Sequence, residues 1–502
     1  MIRYLFILLF NLFCSVYFIN ILKYFQDDHY HYRIFNRYYY HYYLKRPYFI
    51  IVLIVILINN QLLLYISLSL IMVCLLIEYY KLKKFKVTKR IIRIMLLYLI
   101  YLIIIDISKY YIYLIAISLI LMPLIIMTIF YIESHITKLI NLYYYHKAKQ
   151  KIKKYKPLII GITGSCGKTS IKNYLYNCLK KEFIVFKSDK SYNTINGLSL
   201  TINQKLHSYQ AILILEMGAS HKNDIKTITK YFKPDISIIT DILPQHLSTF
   251  KTMDALINEK LNIIRYMNAN GLVIINGDNK NLKESNIDIL TRNKIIRFGF
   301  ENTNDYYPEE INIYNNGISF KLKDNIYTSK LIGRHNITNL LIVIIVLNYF
   351  KVEESKIKKY IEELENYENR LELKQMNKLT ILNDSYNSNI VGFMSALEIL
   401  SKYDKYKIII TPGIVEGGKE QGKINSKIAC EIARICDFCY IVNNKNTPFF
   451  VSEFKNKKYD NYEIVKSFKS AFDLVKNEEA ILLIENDLTD YYYLDIKRKE
   501  EK

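Results

Sequence analysis

Leu158-Ile159-Ile160-Gly161-Ile162-Thr163-Gly164-Ser165-Cys166-Gly167-Lys168-Thr169-Ser170, about a third of the way into a chain of 502 residues, carries an apolar run into a glycine-rich turn. Lys-Thr-Ser then opens a segment, Ile171 to Lys181, of helical character, so the order predicts strand, phosphate loop, helix. Glycines let backbone N–H groups turn toward phosphate oxygens, and a helix N-terminus adds partial positive charge. Lys168 would lie along the β- and γ-phosphates, and the Thr169 hydroxyl would hold Mg²⁺. The general pattern wants its first glycine where this chain has Ile162, and Gly161 comes one place early. A tight turn with a chance lysine would also need glycines, but the flanking strand and helix favour the phosphate loop.

Upstream of this loop the chain is a different material. Tyr4 to Leu22 is nearly all apolar and lacks the small-residue cleavage site of a removable signal peptide, so it reads as a retained anchor. Tyr48 to Ile77 is apolar except for Asn59-Asn60-Gln61, and further apolar runs cover Ile94 to Ile105 and Tyr110 to Ile132. Lys and Arg gather in Lys23 to Arg46, Lys81 to Arg93 and Lys147 to Lys156, and are sparse at the breaks near Asn60 and Asp106. Folding Tyr48 to Ile77 as a hairpin puts all three basic segments on the cytoplasmic side, which gives about five spans with the N-terminus outside. The aromatic stretch Tyr30 to Tyr43 suits an interfacial helix. Lys147 to Lys156 reads as a linker that holds the first strand near the membrane surface.

Length allows about three or four domains. The formal charge of +22 admits nucleic acid or an anionic membrane as partner. No basic stripe with a nucleic-acid motif appears, and much of the basic charge lies beside apolar segments, so the expected partner is the bilayer and not nucleic acid. Seven scattered cysteines without paired C-x-x-C spacing give neither a zinc ribbon nor a disulfide framework, and a reduced cytosol suits the soluble part. Past Tyr155 short apolar runs alternate with helical patterns, as in a soluble α/β domain.

Downstream, Ser191-Tyr192-Asn193-Thr194-Ile195-Asn196-Gly197 is a polar loop before a helix. Ala211 to Leu215 has a buried-strand pattern that delivers Glu216, and a carboxylate at a strand end beside a phosphate loop is well placed for Mg²⁺. Pro234 to Leu247 is another strand pattern, ending at His246. Asn258-Glu259-Lys260-Leu261 follows, then Gly333-Arg334-His335-Asn336-Ile337-Thr338-Asn339 before an apolar helix, where Asn336 could simply be the cap. Asn369-Arg370-Leu371-Glu372 and Asn383-Asp384-Ser385-Tyr386-Asn387-Ser388-Asn389 complete the series.

In that order these motifs resemble the Mur ligases, ATP-dependent amide-forming enzymes of cell-wall synthesis, over about residues 157–490. The apolar runs read as an α-helical transmembrane region (1–150), and the resemblance implies that it is followed by α/β, with a P-loop central domain (151–367) and a Rossmann-like C-terminal domain of Mur ligase type (368–502). It implies ATP and Mg²⁺ as cofactors, and as partners a peptidoglycan-precursor-like substrate and an amino acid or dipeptide. An acceptor carboxylate would attack the γ-phosphate, and an amine would displace the resulting acyl phosphate.

By the same resemblance, Gly164, Ser165, Cys166, Gly167, Lys168, Thr169, Ser170, Asn336, Asn339, Arg370 and Asp384 bind the nucleotide. Thr169, Glu216, His246 and a carbamylated Lys260 hold metal. Lys168, Lys260, His246 and Arg370 are catalytic, and Asn193, Thr194, Asn196, Tyr386, Asn387 and Asn389 face the substrates. The motifs are closest to the members that add D-alanyl-D-alanine to a UDP-linked precursor. The chain departs from those members at Thr411 to Gly418, at Ile484 to Leu488, and in carrying apolar segments where they grip the UDP-sugar. An acceptor attached to lipid is the alternative, and a nucleotide-binding assembly factor without ligase activity is another. The expected location is the cell membrane, multi-pass, with the catalytic domains cytoplasmic.

Overall fold

A computed structural model describes residues 87–107, 111–189, 191–244, 247–366, 370–385, 390–414 and 420–486, with isolated positions before residue 87. The expected span at Tyr48 to Ile77 falls almost wholly outside the described residues and that at Tyr4 to Leu22 does so in part, its described positions being helical, while His246, Tyr386, Asn387 and Asn389 fall outside them too. The chain divides into two compact units, Met1–Tyr143 and Tyr144–Lys502.

In the first unit, α1 (Lys89–Ile107) and the start of α2 (Tyr111–Tyr155) contain the two apolar runs expected after Lys81. Glu133 is fully buried and accepts hydrogen bonds from Arg90 (2.7 Å), Arg93 (2.8 Å) and the Thr137 hydroxyl (2.5 Å). Part of the basic segment Lys81 to Arg93 is thus helical and turned onto an internal carboxylate. The remainder of α1 exposes Ile92, Leu96, Leu99, Ile100, Ile103, Ile104 and Ile107, a stripe that water does not favour. Among the described residues, one helix, Ile125–Tyr155, is long and apolar enough to cross a membrane by length and composition. Replacing Glu133 by Ala strands two guanidinium groups. The expected cost is about 2 kcal/mol, reduced because both arginines remain partly exposed. Thermal unfolding of the full chain in detergent should show its first transition lowered by roughly 5 °C.

In the second unit, residues 144–155 are the last turns of α2 and not the linker expected over Lys147 to Lys156. The lysines mask an apolar stripe: Ala148 is fully buried, and Ile152 and Tyr155 pack against the same core. Lys151 donates to the carbonyls of Ile202 (3.1 Å) and Asn203 (2.9 Å) at the C-terminal end of α4 (Ile195–Lys205), where helical carbonyls lack partners.

The next strands are β1 (Leu158–Thr163), β2 (Val185–Lys187), β3 (Ile212–Glu216), β4 (Ile236–Ile239), β5 (Leu272–Asn276) and β6 (Lys294–Phe298). They form one parallel sheet in the order β2-β3-β1-β4-β5-β6. Both faces are covered, which is why the strands are near-continuous Ile, Leu and Val. One face packs α3 (Lys168–Leu179) and an apolar helix, α7 (His335–Tyr349). The other packs α4, α5 (Asp224–Tyr231) and α6 (Met253–Lys260). Apolar residues surround α7 on every side because it is buried on every side.

An antiparallel trio, β7 (Glu309–Tyr314), β8 (Gly317–Leu322) and β9 (Asn325–Ser329), adds to the first of these cores. A second six-stranded sheet follows, built from β10 (Glu372–Met376), β11 (Leu379–Asp384), β12 (Tyr406–Thr411), β13 (Phe438–Val442), β14 (Tyr462–Val465) and β15 (Ala480–Glu485). Its order is β10-β11-β15-β12-β13-β14, parallel except at the β10 edge. The architecture is a parallel-sheet central domain joined to a C-terminal α/β domain.

Candidate functional site

Parallel pairing sets what stands beside the glycine-rich turn. Ile162 pairs with Glu216 on one side of β1, and Thr163 pairs with Ile239 on the other. Strand order reverses around β1, and in such sheets the crevice at the C-terminal strand ends is where ligands bind. Gly164 has φ +145°, and a Cβ there would lie 1.9 Å from Thr240 Oγ1. Gly167 has φ +77°, so both positions need glycine for conformation, the first also for space.

The loop is tied to the segment after β4. Ser165 N–H donates to Asp241 O (2.6 Å), and Thr240 Oγ1 donates to Cys166 O (2.6 Å). The Ser165 hydroxyl, expected among the nucleotide contacts, bridges the N–H and carbonyl of Leu243 (2.8 and 3.0 Å). Serine here holds the loop in shape.

The helix after the loop begins at Lys168, three residues earlier than Ile171. The N–H groups of its first turn have no carbonyl within the helix, and the helix dipole adds to their pull on an anion. Lys168 Nζ folds back to donate to Gly164 O at 2.7 Å. Burial lowers its pKa, and Arg370 adds to the shift against the opposing Glu216. Thr169 and Ser170 are buried in the same turn.

Glu216 is the hub. Its Oε2 accepts from Thr169 Oγ1 (2.9 Å) and pairs with Lys172 Nζ (3.2 Å), while its Oε1 accepts from Asn193 Nδ2 (3.3 Å). Burial pushes this carboxyl up, but Lys172, Lys168 and the threonine hydroxyl outweigh it and hold the pKa below the ordinary value. Lys172, 1% exposed, was not among the sequence-predicted residues. Its signal is spacing, since four residues after Lys168 it shares that face of α3. Glu216→Gln leaves this buried ammonium without its carboxylate, and the expected cost is about 3 kcal/mol. The urea midpoint should fall, and adding Lys172→Met should recover most of the loss.

Lys260 ends α6 and is buried. Its neighbour Glu259 is occupied elsewhere, accepting from the N–H groups of Asn223 and Ile225 (both 2.7 Å) and from Asn262 Nδ2 (3.2 Å). Burial first, and then repulsion by Lys168, lowers the Lys260 pKa well below the usual lysine range. Burial likewise pushes the nearby Cys166 thiol up to about 12, so it is no nucleophile at neutral pH.

From the C-terminal domain, Arg370 lies close enough to depress Lys168, Lys172 and His335 electrostatically. Asp384, at the end of β11, stands in register with Glu485 of β15, and burial raises its pKa against the pull of Arg370. Burial and Arg370 lower His335 to about 4, and this neutral imidazole shares a hydrogen bond with Ser395 (3.1 Å).

Asn336 is not the helix cap, because α7 starts at His335 with Arg334 in the cap position. Its side chain donates to Ile332 O (2.8 Å) and accepts from Asn339 (2.9 Å) and Tyr174 OH (3.3 Å). Asn339 Oδ1 lies beneath Gly167, so the two asparagines brace the loop from below. Thr194 caps α4, accepting from Gly197 N–H (3.3 Å), and Asn196 accepts from the Tyr145 hydroxyl.

The described residues therefore bring together the glycine-rich loop, Lys168, Thr169, Glu216, Lys260, Arg370 and Asp384. Oxygen donors from Thr169 and Glu216 beside two cationic side chains fit a magnesium-bound triphosphate.

Residues 162–347 match the Mur ligase middle domain. The chain is similar to the UDP-N-acetylmuramoyl-tripeptide–D-alanyl-D-alanine ligase of Buchnera aphidicola subsp. Baizongia pistaciae, 33% identical over 268 residues, 52% of this chain and 57% of that protein. It is 28% identical to the Bacillus subtilis ligase of the same name over 276 residues, 54% of this chain and 59% of that protein. The chain thus spans less than two thirds of the length of these relatives. Among solved structures, it is similar in fold to MurF from Acinetobacter baumannii, with TM-score 0.62 and 19% identity over 72% of this chain and 81% of that one. The MurF ligase from Thermotoga maritima in complex with ADP gives TM-score 0.62 and 21% identity over 72% and 84%.

Proposed function

We propose that the chain, whose residues 162–347 match the Mur ligase middle domain, is an ATP-dependent carbon–nitrogen ligase of peptidoglycan precursor synthesis, of the D-alanyl-D-alanine-adding type. The observation that carries this reading is the hub at Glu216, which gathers Thr169 and Lys172 beside a lysine held over a glycine-rich loop.

Lys168 leaves the Gly164 carbonyl for the phosphate oxygens, and Arg370 reaches them from the other domain. Phosphoryl transfer needs mainly such positioning and charge balance. Lys172 keeps Glu216 ionised and oriented, so Thr169 and Glu216 together would hold Mg²⁺, with His246 and a carbamylated Lys260 at a second position. When bound, the metal neutralises charge on the phosphates and orients the acceptor carboxylate. Burial and the charge of Lys168 favour the neutral amine of Lys260, the form that carbamate formation requires. Asn193 orients Glu216, and the loop through Asn196 would face the substrates. Arg370 and Asp384 come from residues 368–502 and Lys168 from residues 151–367, so the site is shared between the two domains and depends on their approach.

We place the apolar runs before residue 144 in the membrane as about five spans, with the ligase domains on the cytoplasmic side. The exposed aliphatic stripe of α1 supports this reading. A membrane-held ligase also admits a lipid-linked acceptor. The deciding experiment supplies the purified full chain with ATP, extracted UDP-linked and lipid-linked wall precursors, and labelled D-alanyl-D-alanine or single amino acids. The expected product, read by mass, is a precursor extended by the dipeptide with one phosphate released per bond. Nucleotide binding without any extended product would leave an assembly factor instead.

A further inference from the structure

At the end of the central sheet opposite the glycine-rich loop lies a cavity of about 610 Å³. It is lined by Lys149 and Lys153 of α2, Lys156, Lys230 of α5, and Lys233, with Tyr231 and Asp235 among the other walls. All five lysines are exposed. None forms an ion pair with a carboxylate among the described residues, although the chain pairs many of its surface lysines elsewhere. The acid in the wall is already used: Asp235 accepts from Ile159 N–H (2.8 Å) and Asn268 Nδ2 (2.8 Å). Lys149 lies 5.5 Å from the Tyr231 ring, so an aromatic face holds one ammonium while leaving its charge available. Five uncompensated cations around one concavity repel one another unless an anion enters.

The helix that contributes Lys149 and Lys153 also supplies the choice of anion. In sequence, these lysines follow by a few residues the exposed apolar side chains Leu139, Leu142 and Tyr143. An apolar helical segment with aromatic residues and then lysines is the pattern of a chain leaving a bilayer on its cytoplasmic side. We infer that this lysine cavity is a docking site for the phosphate headgroups of acidic phospholipids, which holds the ligase domains against the membrane face. The inference rests on the membrane placement given under the proposed function and adds the surface and lipid class that secure it. The site is separate from nucleotide chemistry, since it lies at the N-terminal ends of β1 and β4, whereas Lys168 and Glu216 stand at C-terminal strand ends.

The test uses the full chain reconstituted in nanodiscs of phosphatidylcholine alone, or with about three parts in ten phosphatidylglycerol. Each lysine's reactivity toward an amine-acylating reagent is read by mass spectrometry. In the acidic discs Lys149, Lys153, Lys230 and Lys233 should react about fivefold more slowly. Lys423 and Lys427 of the C-terminal domain should be unchanged, and about 0.5 M salt should remove the protection. Charge reversal at Lys153 and Lys233 should abolish protection of Lys149 and Lys230 without altering ligation in detergent. Equal reactivity in both discs overturns the inference alone. Protection by millimolar inorganic phosphate in phosphatidylcholine discs overturns the lipid in favour of a soluble phosphate ligand. A chain that enters neither disc overturns the membrane placement and the inference together.

Discussion

Lys168→Ala should abolish ATP-dependent ligation, lowering turnover by ~10³-fold or more, while the fold is retained. The side chain has one strong protein partner, the Gly164 carbonyl, and its charge sits in an environment that disfavours it until an anion arrives. Removing it therefore relieves a desolvated ammonium and costs little structure. Circular dichroism and the urea midpoint should be unchanged or slightly improved, and phosphate release with precursor present should vanish. Normal turnover by this variant would remove the nucleotide role from the loop.

Lys260→Ala should lower ligation by ~10²-fold or more, and short carboxylates such as formate or acetate should restore part of it. Burial, and then repulsion by Lys168, shift Lys260 toward its neutral form, and a neutral amine adds carbon dioxide where an ammonium does not. The wild-type chain should respond to bicarbonate after degassing, and the variant should not. Sign matters for stability as well: the folded pKa lies below the unfolded one, so the buried amine destabilises the fold at neutral pH and less so as pH rises toward 10.5. A Lys260→Met variant should therefore be at least as stable as wild type while being equally inactive. A fully active Lys260→Ala variant, indifferent to carboxylates and bicarbonate, would leave Lys260 as a buried structural residue.

Local chemistry was readable from sequence, and tertiary chemistry was not. The glycine-rich loop could be read because its geometry is encoded within seven residues, and Glu216 because a strand-end carboxylate must lie at the same sheet edge as the loop. Lys172 escaped notice because a helical lysine in so lysine-rich a chain looks like surface, and only packing shows it 1% exposed against Glu216. Asn336 and Asn339 form a motif whose asparagines look like ligand contacts or caps, yet their amides are satisfied mainly by one another, Tyr174 and Ile332. Lys147 to Lys156 read as a linker because charge hid the apolar period carried by Ala148, Ile152 and Tyr155.

That last stretch has a practical meaning for anyone trimming the protein to a crystallisable catalytic fragment. Cutting just ahead of β1, where the charged run invites a boundary, would strip the sheet of the helix that buries Ala148 and would free Lys151 from the carbonyls of α4. A fragment starting near residue 144 keeps this cover, whereas one starting at residue 157 should aggregate through the apolar face left bare.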